Sequence, residues 1–285
     1  MPKLISFYDA AKSQWYLFQL WGFCQKLALL SVASLLSSCV ATPPPTNILT
    51  VAVAWKQTAA EYQALYYQAF NLAQLRVGQA LAQRAADSPP LAVIVDLDDT
   101  VLDTRSYWAE LLSANQDFFD DDRWDAWIPR NQVIPTAGSL DFLKYCAKNG
   151  VTVFYVSSRN QGSQTFEFAL DQLVKNGFPN ADKEHLTVLT DSSNKSLRQS
   201  AIAQDYQVVV LIGDNLNDFS RVYYTDDVDS RSAQMHQDKA QFGSRYILLP
   251  NPTDGHWVRA LFGDSEPPPS DANRQRWHKA ATKQH

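Results

Sequence analysis

The sequence predicts an α/β fold, a doubly wound parallel sheet with helices on both faces. Apolar runs rich in β-branched residues, such as Leu91-Ala92-Val93-Ile94-Val95, alternate with segments whose apolar residues recur at helical spacing. The runs are continuous rather than alternating, as in strands covered on both sides. Polar clusters follow four of them, and ligands of open α/β sheets sit at the carboxyl ends of strands.

The chain of 285 residues has room for one α/β domain with an insertion, or for two small domains. Apolar residues make up 45% and charged residues 19%, as in ordinary globular proteins. A net charge of −5 argues against a nucleic-acid polymer as partner. The cysteines, Cys24, Cys39 and Cys146, have no C-x-x-C spacing, so neither a zinc site nor a disulfide framework is indicated.

Residues 1–39 read as a secretory signal. Lys3, Lys12 and Lys26 precede the apolar run Leu27 to Leu36, which is too short for a comfortable membrane span. The run ends Leu36-Ser37-Ser38-Cys39, which resembles a bacterial lipoprotein box whose cysteine becomes the lipidated first residue. A signal cut near Ala41 and an uncleaved anchor are the alternatives. Residues 40–50, with three consecutive prolines, would form an extended tether. Every version puts the protein outside the cytoplasm. The lipoprotein version holds it by lipid to a bacterial membrane, facing the periplasm or cell surface, and leaves Cys146 as the free thiol.

Residues 51–262 are expected to form the folded domain. Ala59 to Ala86 reads as one long helix, with Tyr62, Leu65, Tyr66, Ala69, Leu72 and Ala73 on one face. After the breaker Ser88-Pro89-Pro90 comes the strand Leu91 to Val95, which runs into Asp96, Asp98 and Asp99, with Asp103 beyond. Asp96 and Asp98, two apart, point the same way in an extended chain. Their repulsion calls for a cation or a shared proton, and a hard divalent ion such as Mg²⁺ suits a site that also binds phosphate. Residues 104–134 lack strand character and hold Tyr107, Trp108, Phe118, Phe119, Trp124 and Trp127 among many acids. They form an insertion placed to act as a lid, its rings mostly a small helical core with a few facing substrate.

Thr136 to Lys148 is predicted to be helical and to stop at Gly150. The strand Val151 to Val156 ends in Ser157-Ser158-Arg159-Asn160, and the helix Gln161 to Asn176 follows. A short strand, Leu186 to Leu189, leads to Ser192-Ser193-Asn194-Lys195 and a helix over Ser196 to Gln204. The strand Val208 to Ile212 ends Gly213-Asp214-Asn215-Leu216-Asn217-Asp218-Phe219, and Tyr246 to Leu249 is the last strand. Residues 263–285 are a polar C-terminal tail, expected to be loosely held after Ser265.

Taken singly, these polar residues have plain explanations. Ser157 could cap the next helix, Lys195 could be a solvated lysine, and Asp214 and Asp218 could be turn and helix-start residues. In this order they resemble the four motifs of the haloacid-dehalogenase-type (HAD) phosphohydrolases: an acidic pair in hhhhDxDxT, a Ser or Thr, a Lys, and G-D-x-x-x-D. More narrowly, DLDDTVLD, FYVSSRN and GDNLNDF resemble the class C acid phosphatases, a family that includes bacterial outer-membrane lipoprotein 5′-nucleotidases. The resemblance runs from about Ala52 to about Trp257. It implies a HAD core with a small α-helical cap, formed here by the insertion, and Mg²⁺-dependent hydrolysis of a small phosphomonoester.

In that scheme Asp96 is the nucleophile that forms an aspartyl-phosphate. Asp98 protonates the leaving group and later deprotonates water. Ser157 and Lys195 hold phosphoryl oxygens. The metal rests on the carboxylates of Asp96 and Asp214 and the backbone carbonyl of Asp98, while Asp218 orients a metal-bound water or Lys195. The family's nucleotidases stack the base between two rings. Trp124 matches one, but Asp254, in Asp254-Gly255-His256-Trp257, stands where the other is expected. A broad phosphomonoesterase and a nucleotidase both stay open. So do a phosphotransferase or phosphomutase, and a catalytically silent surface lipoprotein that uses the fold for binding.

Overall fold

The computed structural model describes residues 47–283. Cys39, the expected signal and most of the expected tether lie outside the described residues. Among the described residues, no helix is long and apolar enough to cross a membrane.

The chain opens with two helices, α1 (Thr50–Thr58) and α2 (Ala60–Gln83). Strand β1 (Leu91–Val95) follows, and then the short β2 (Leu102–Asp103). The insertion carries α3 (Arg105–Ser113) and α4 (Asp121–Trp127), and β3 (Ile134–Pro135) pairs antiparallel with β2 to close its base. The second half runs α5 (Ser139–Lys148), β4 (Thr152–Ser158), α6 (Thr165–Lys175), β5 (Leu186–Leu189), α7 (Ser196–Asp205) and β6 (Gln207–Gly213). It closes with α8 (Val228–Gln237), β7 (Tyr246–Leu248), α9 (His256–Phe262) and α10 (Asp271–Ala281).

The main sheet has five parallel strands in the order β5-β4-β1-β6-β7. Strand β1 lies at its centre, which explains the continuous apolar run. Leu91, Val93 and Val95 enter a core shared with Tyr66, Phe70 and Val77 of α2 and with Phe142 and Cys146 of α5. Ala92 and Ile94 point to the other face, against Phe154, Leu211, Phe219 and Ile202 of α7. Each fully buried large side chain contributes about 1.5–3 kcal/mol, so the period-two alternation within β1 fixes which helix packs on which face.

Two stretches differ from the sequence reading. Helix α1 occupies residues taken as the end of the tether and the start of the domain; its inward residues are Val53 and Lys56, and a buried lysine hides the apolar pattern. The segment after Ser265 is polar but not loosely held. Ser270 caps α10 by accepting a hydrogen bond from the Asn273 N–H at 3.2 Å. Trp277 packs 5.2 Å from Trp257 and 4.9 Å from Phe262. Arg274 binds Asp117 of the insertion through two hydrogen bonds of 2.5 and 3.0 Å. One tryptophan and one arginine anchor the helix, too few residues to register as a periodic pattern.

Candidate active site

The carboxyl ends of β1, β4 and β6 open on one cleft of about 640 Å³. At the end of β1 the Asp96 N–H donates to the Ile212 carbonyl of β6 at 3.0 Å, and the chain then folds back on itself. The N–H groups of Val101 and Leu102 both donate to the Leu97 carbonyl at 2.9 Å, and Asp99 takes the left-handed conformation at φ 49°. Asp96 and Asp98 both line the cleft, as their spacing predicts, but their carboxylates have different partners.

Asp96 meets the Lys195 ammonium, which also donates to Asp218 Oδ1 at 2.7 Å. Lys195 sits at the start of α7 and is 7% exposed. Asp218 is fixed by a reciprocal cap with Asn215, whose N–H donates to Asp218 Oδ2 at 2.9 Å. Gly213 makes that arrangement fit, since a Cβ there would lie 2.2 Å from Asp218 Oδ2. Asp214 accepts from the Thr100 hydroxyl at 3.1 Å and from the Asn251 amide at 2.8 Å.

One carboxylate oxygen from each of Asp96, Asp214 and Asp218 lies within 4.8 Å of the others. Burial, then the charges of Asp218, Asp96 and Asp99, holds the Asp214 carboxyl well above the usual carboxylate range. Burial likewise pushes Asp218 up to about 6, with Lys195 opposing. Burial acts to lower the Lys195 ammonium, but Asp218 and Asp96 outweigh it and hold the group above its ordinary value, so it stays charged. A set of oxygen donors with excess negative charge is what a hard divalent cation requires, and the residues present fit one.

Asp98 is bound by a residue to which the sequence assigned no role. Arg159, just past β4, grips it with two hydrogen bonds of 2.6 Å and is itself held by Gln172 Oε1 at 2.7 Å. Burial raises the Asp98 carboxyl and Arg159 offsets only part of that rise. Ser157 is buried at the end of β4 and lines the same cleft. The structure thus brings together Asp96, Asp98, Ser157, Lys195, Asp214 and Asp218. Trp124 also lines the cleft but is 9% exposed, stacked on Trp127 with centroids 5.3 Å apart and edge-on to Tyr107. Asp254 lines the cleft too, and burial pushes its carboxyl up to about 6.

Other site residues were missed. Thr100 lies within the first motif, and Arg159 within the polar cluster after β4, so each had a signal. Asn251 and Lys56 had none. Lys56, on α1, is 1% exposed and donates to Asp99 Oδ2 at 2.7 Å and to Thr253 Oγ1 at 3.0 Å. It reaches the acidic loop from forty-three residues upstream.

Residues 24–257 match the family model for HAD superfamily, subfamily IIIB acid phosphatases. The fold is similar to that of the class C acid phosphatase from Bacillus anthracis with tungstate bound. That match has a TM-score of 0.77 and 33% identity, and covers 85% of this chain and 100% of that one. A second structure of the B. anthracis enzyme matches with a TM-score of 0.76 at 33% identity, covering 84% of this chain and 98% of that one. On a parallel sheet whose strand ends gather four aspartates, a lysine and a serine in one cleft, these matches agree: the chain belongs to the subfamily IIIB acid phosphatases of the HAD superfamily, and it is a phosphatase.

Proposed function

We propose that the enzyme hydrolyses small phosphomonoesters through an aspartyl-phosphate, with Mg²⁺ as its metal. The observation that carries this reading is the different environment of the two motif aspartates: Asp96 faces Lys195 and the carboxylate cluster, whereas Asp98 faces Arg159. An Asp96 oxygen attacks phosphorus as the ester oxygen leaves, which splits one slow hydrolysis into two easier steps. Asp98, its carboxyl raised by burial, gives its proton to the leaving oxygen. It then takes a proton from the water that attacks the acyl phosphate. The Ser157 hydroxyl and the Lys195 ammonium donate to phosphoryl oxygens, where charge must be held. Asp218 keeps Lys195 oriented. When bound by the carboxylates of Asp96 and Asp214 and the backbone carbonyl of Asp98, Mg²⁺ would neutralise phosphoryl charge. Tungstate, a tetrahedral oxyanion bound by the B. anthracis relative, supports an oxyanion site of this kind.

A broad phosphomonoesterase is favoured over a dedicated 5′-nucleotidase. Trp124 is mostly buried against its neighbours, and the second expected ring is replaced by Asp254. Export and lipid attachment at Cys39 belong to the same proposal, supported by the string Leu36-Ser37-Ser38-Cys39.

The test is turnover of p-nitrophenyl phosphate. EDTA should abolish it and Mg²⁺ should restore it, with Zn²⁺ a poor substitute at an oxygen-only site. Asp96→Asn should fold but not turn over. Full activity after exhaustive chelation, or substantial turnover by Asp96→Asn with deamidation excluded, overturns the mechanism.

A further inference from the structure

The cleft carries a second charged feature that the hydrolytic scheme leaves unused. Arg221, in the 3-10 turn after Asp218, and Arg259, on α9, both lie against the ring of Tyr224, their guanidinium carbons 3.4 and 4.4 Å from its centroid. All three residues line the cleft, with His256 edge-on to Tyr224 at 5.0 Å. Arg221 also donates to Ser193 Oγ at 3.0 Å, two residues before Lys195, so the pair stands beside the expected phosphate site.

Of the arginines lining the cleft, Arg159 pairs with Asp98, whereas Arg221 and Arg259 have no acidic partner among the described residues. Arg105, Arg130, Arg159 and Arg274 each pair with a carboxylate. Among the described residues, neither Arg221 nor Arg259 takes part in an ion pair, although the chain carries a net charge of −5. Arg259 Nε is buried without a hydrogen-bond partner. Two like charges at one ring with a donor unsatisfied are unfavourable in the empty protein, and an incoming anion reverses that balance. Burial, then Arg231, Lys195, Arg221 and Arg259, holds the His256 imidazole down at about 4. It is therefore neutral at physiological pH and lies in a field that Lys195 and the two arginines share. The Tyr224 ring, already covered by guanidinium groups, is not a free stacking surface for a nucleobase.

We propose that Arg221 and Arg259 form an anion subsite for the leaving group, and that the preferred substrates are phosphomonoesters carrying a second phosphoryl group. The planar guanidinium fork matches phosphoryl oxygens in pairs, which a lysine cannot do. This deepens the hydrolase reading and rests on it.

The experiment uses alkane-diol bisphosphates of three to six carbons against alkyl monophosphates of the same lengths. In the wild type, kcat/KM for the bisphosphate should exceed that of its monophosphate by at least about tenfold at one length or more. Arg221→Gln and Arg259→Gln should each cut that ratio about tenfold, through KM more than kcat. Dissociation constants of the same ligands on Asp96→Asn, read by calorimetry, report the subsite without turnover. Equal kcat/KM and equal dissociation constants at every length overturn the subsite while leaving the phosphatase intact. Conversely, if nothing is hydrolysed yet the bisphosphates bind Asp96→Asn more tightly, the hydrolase reading fails and the subsite stands.

Discussion

Replacing Lys56 by Met tests how the acidic loop after β1 is held. The ammonium is buried, 2.7 Å from Asp99 Oδ2, 3.0 Å from Thr253 Oγ1 and 5.7 Å from the centre of the Trp108 ring. Methionine keeps most of the apolar stem and fills the space, so lost packing is a minor part of the effect. The main effect is on Asp99, whose side chain is 4% exposed and loses its only cationic partner among the described residues. Removing one partner of a buried ion pair costs about 3–5 kcal/mol. Asp99 keeps hydrogen bonds from the Thr104 hydroxyl at 2.7 Å and from the Asn251 amide at 3.1 Å, which places the loss toward the lower end. A loss of about 3 kcal/mol lowers Tm by roughly 6–12 °C in a domain of this size. Thermal and urea unfolding measure it. Adding Asp99→Asn to the variant removes the orphaned charge, and asparagine tolerates the left-handed backbone at this position, so the double variant should regain at least half of the loss. Because the same loop carries Asp98, kcat for Lys56→Met should also fall, by about 10–100-fold. A loss below about 1 kcal/mol, or a double variant less stable than the single one, would refute this account of the loop.

Arg159→Met should release Asp98 and orphan the buried Gln172 carbonyl, at about 1–3 kcal/mol in stability. Since Arg159 lowers the Asp98 carboxyl, its loss should move the alkaline limb of kcat/KM to higher pH, and an unmoved limb would separate Asp98 from the titrating acid. His256 is held at about 4 against an ordinary 6.5, so between those values the unfolded chain binds a proton that the folded chain does not. Its contribution to stability is complete above about pH 6.5 and is lost as pH falls toward 4. At most about 3 kcal/mol is involved, and partial exposure reduces this to roughly 1–2 kcal/mol. His256→Gln should flatten the acid limb of urea-unfolding stability, and an unchanged limb would place the acid sensitivity elsewhere. Mass spectrometry of the mature protein from membranes should find acyl chains on Cys39, whereas an unmodified N-terminus after Ala41 would make this an ordinary exported protein.

The central strand, the order of strands and helices and the acidic strand ends were legible in the residues because each depends on local chemistry. A strand buried on both faces must be apolar throughout, as Leu91 to Val95 are. Acidic residues gathered in a cleft at the ends of a parallel sheet must follow such strands, as Asp96, Asp98, Asp214 and Asp218 do. Lys195 and Ser157 were legible through their order relative to those aspartates. The remaining partners were fixed by folding. Lys56 reaches Asp99 from a helix whose pattern it disguises, and Asn251 joins Asp99 to Asp214 from beyond the last strand. Arg159 lay in view beside Ser157, yet nothing local said that it would grip Asp98 sixty-one residues away. Arg259 meets the ring of Tyr224, which Arg221 of the same 3-10 turn also covers, from the separate segment α9. Trp277 and Arg274 anchor a helix that composition alone describes as a polar tail. Each of these is a single polar or aromatic side chain whose partner is distant along the chain. Such a contact leaves no periodicity in the sequence, because its geometry is set by the way the strands and helices stack and not by its neighbours.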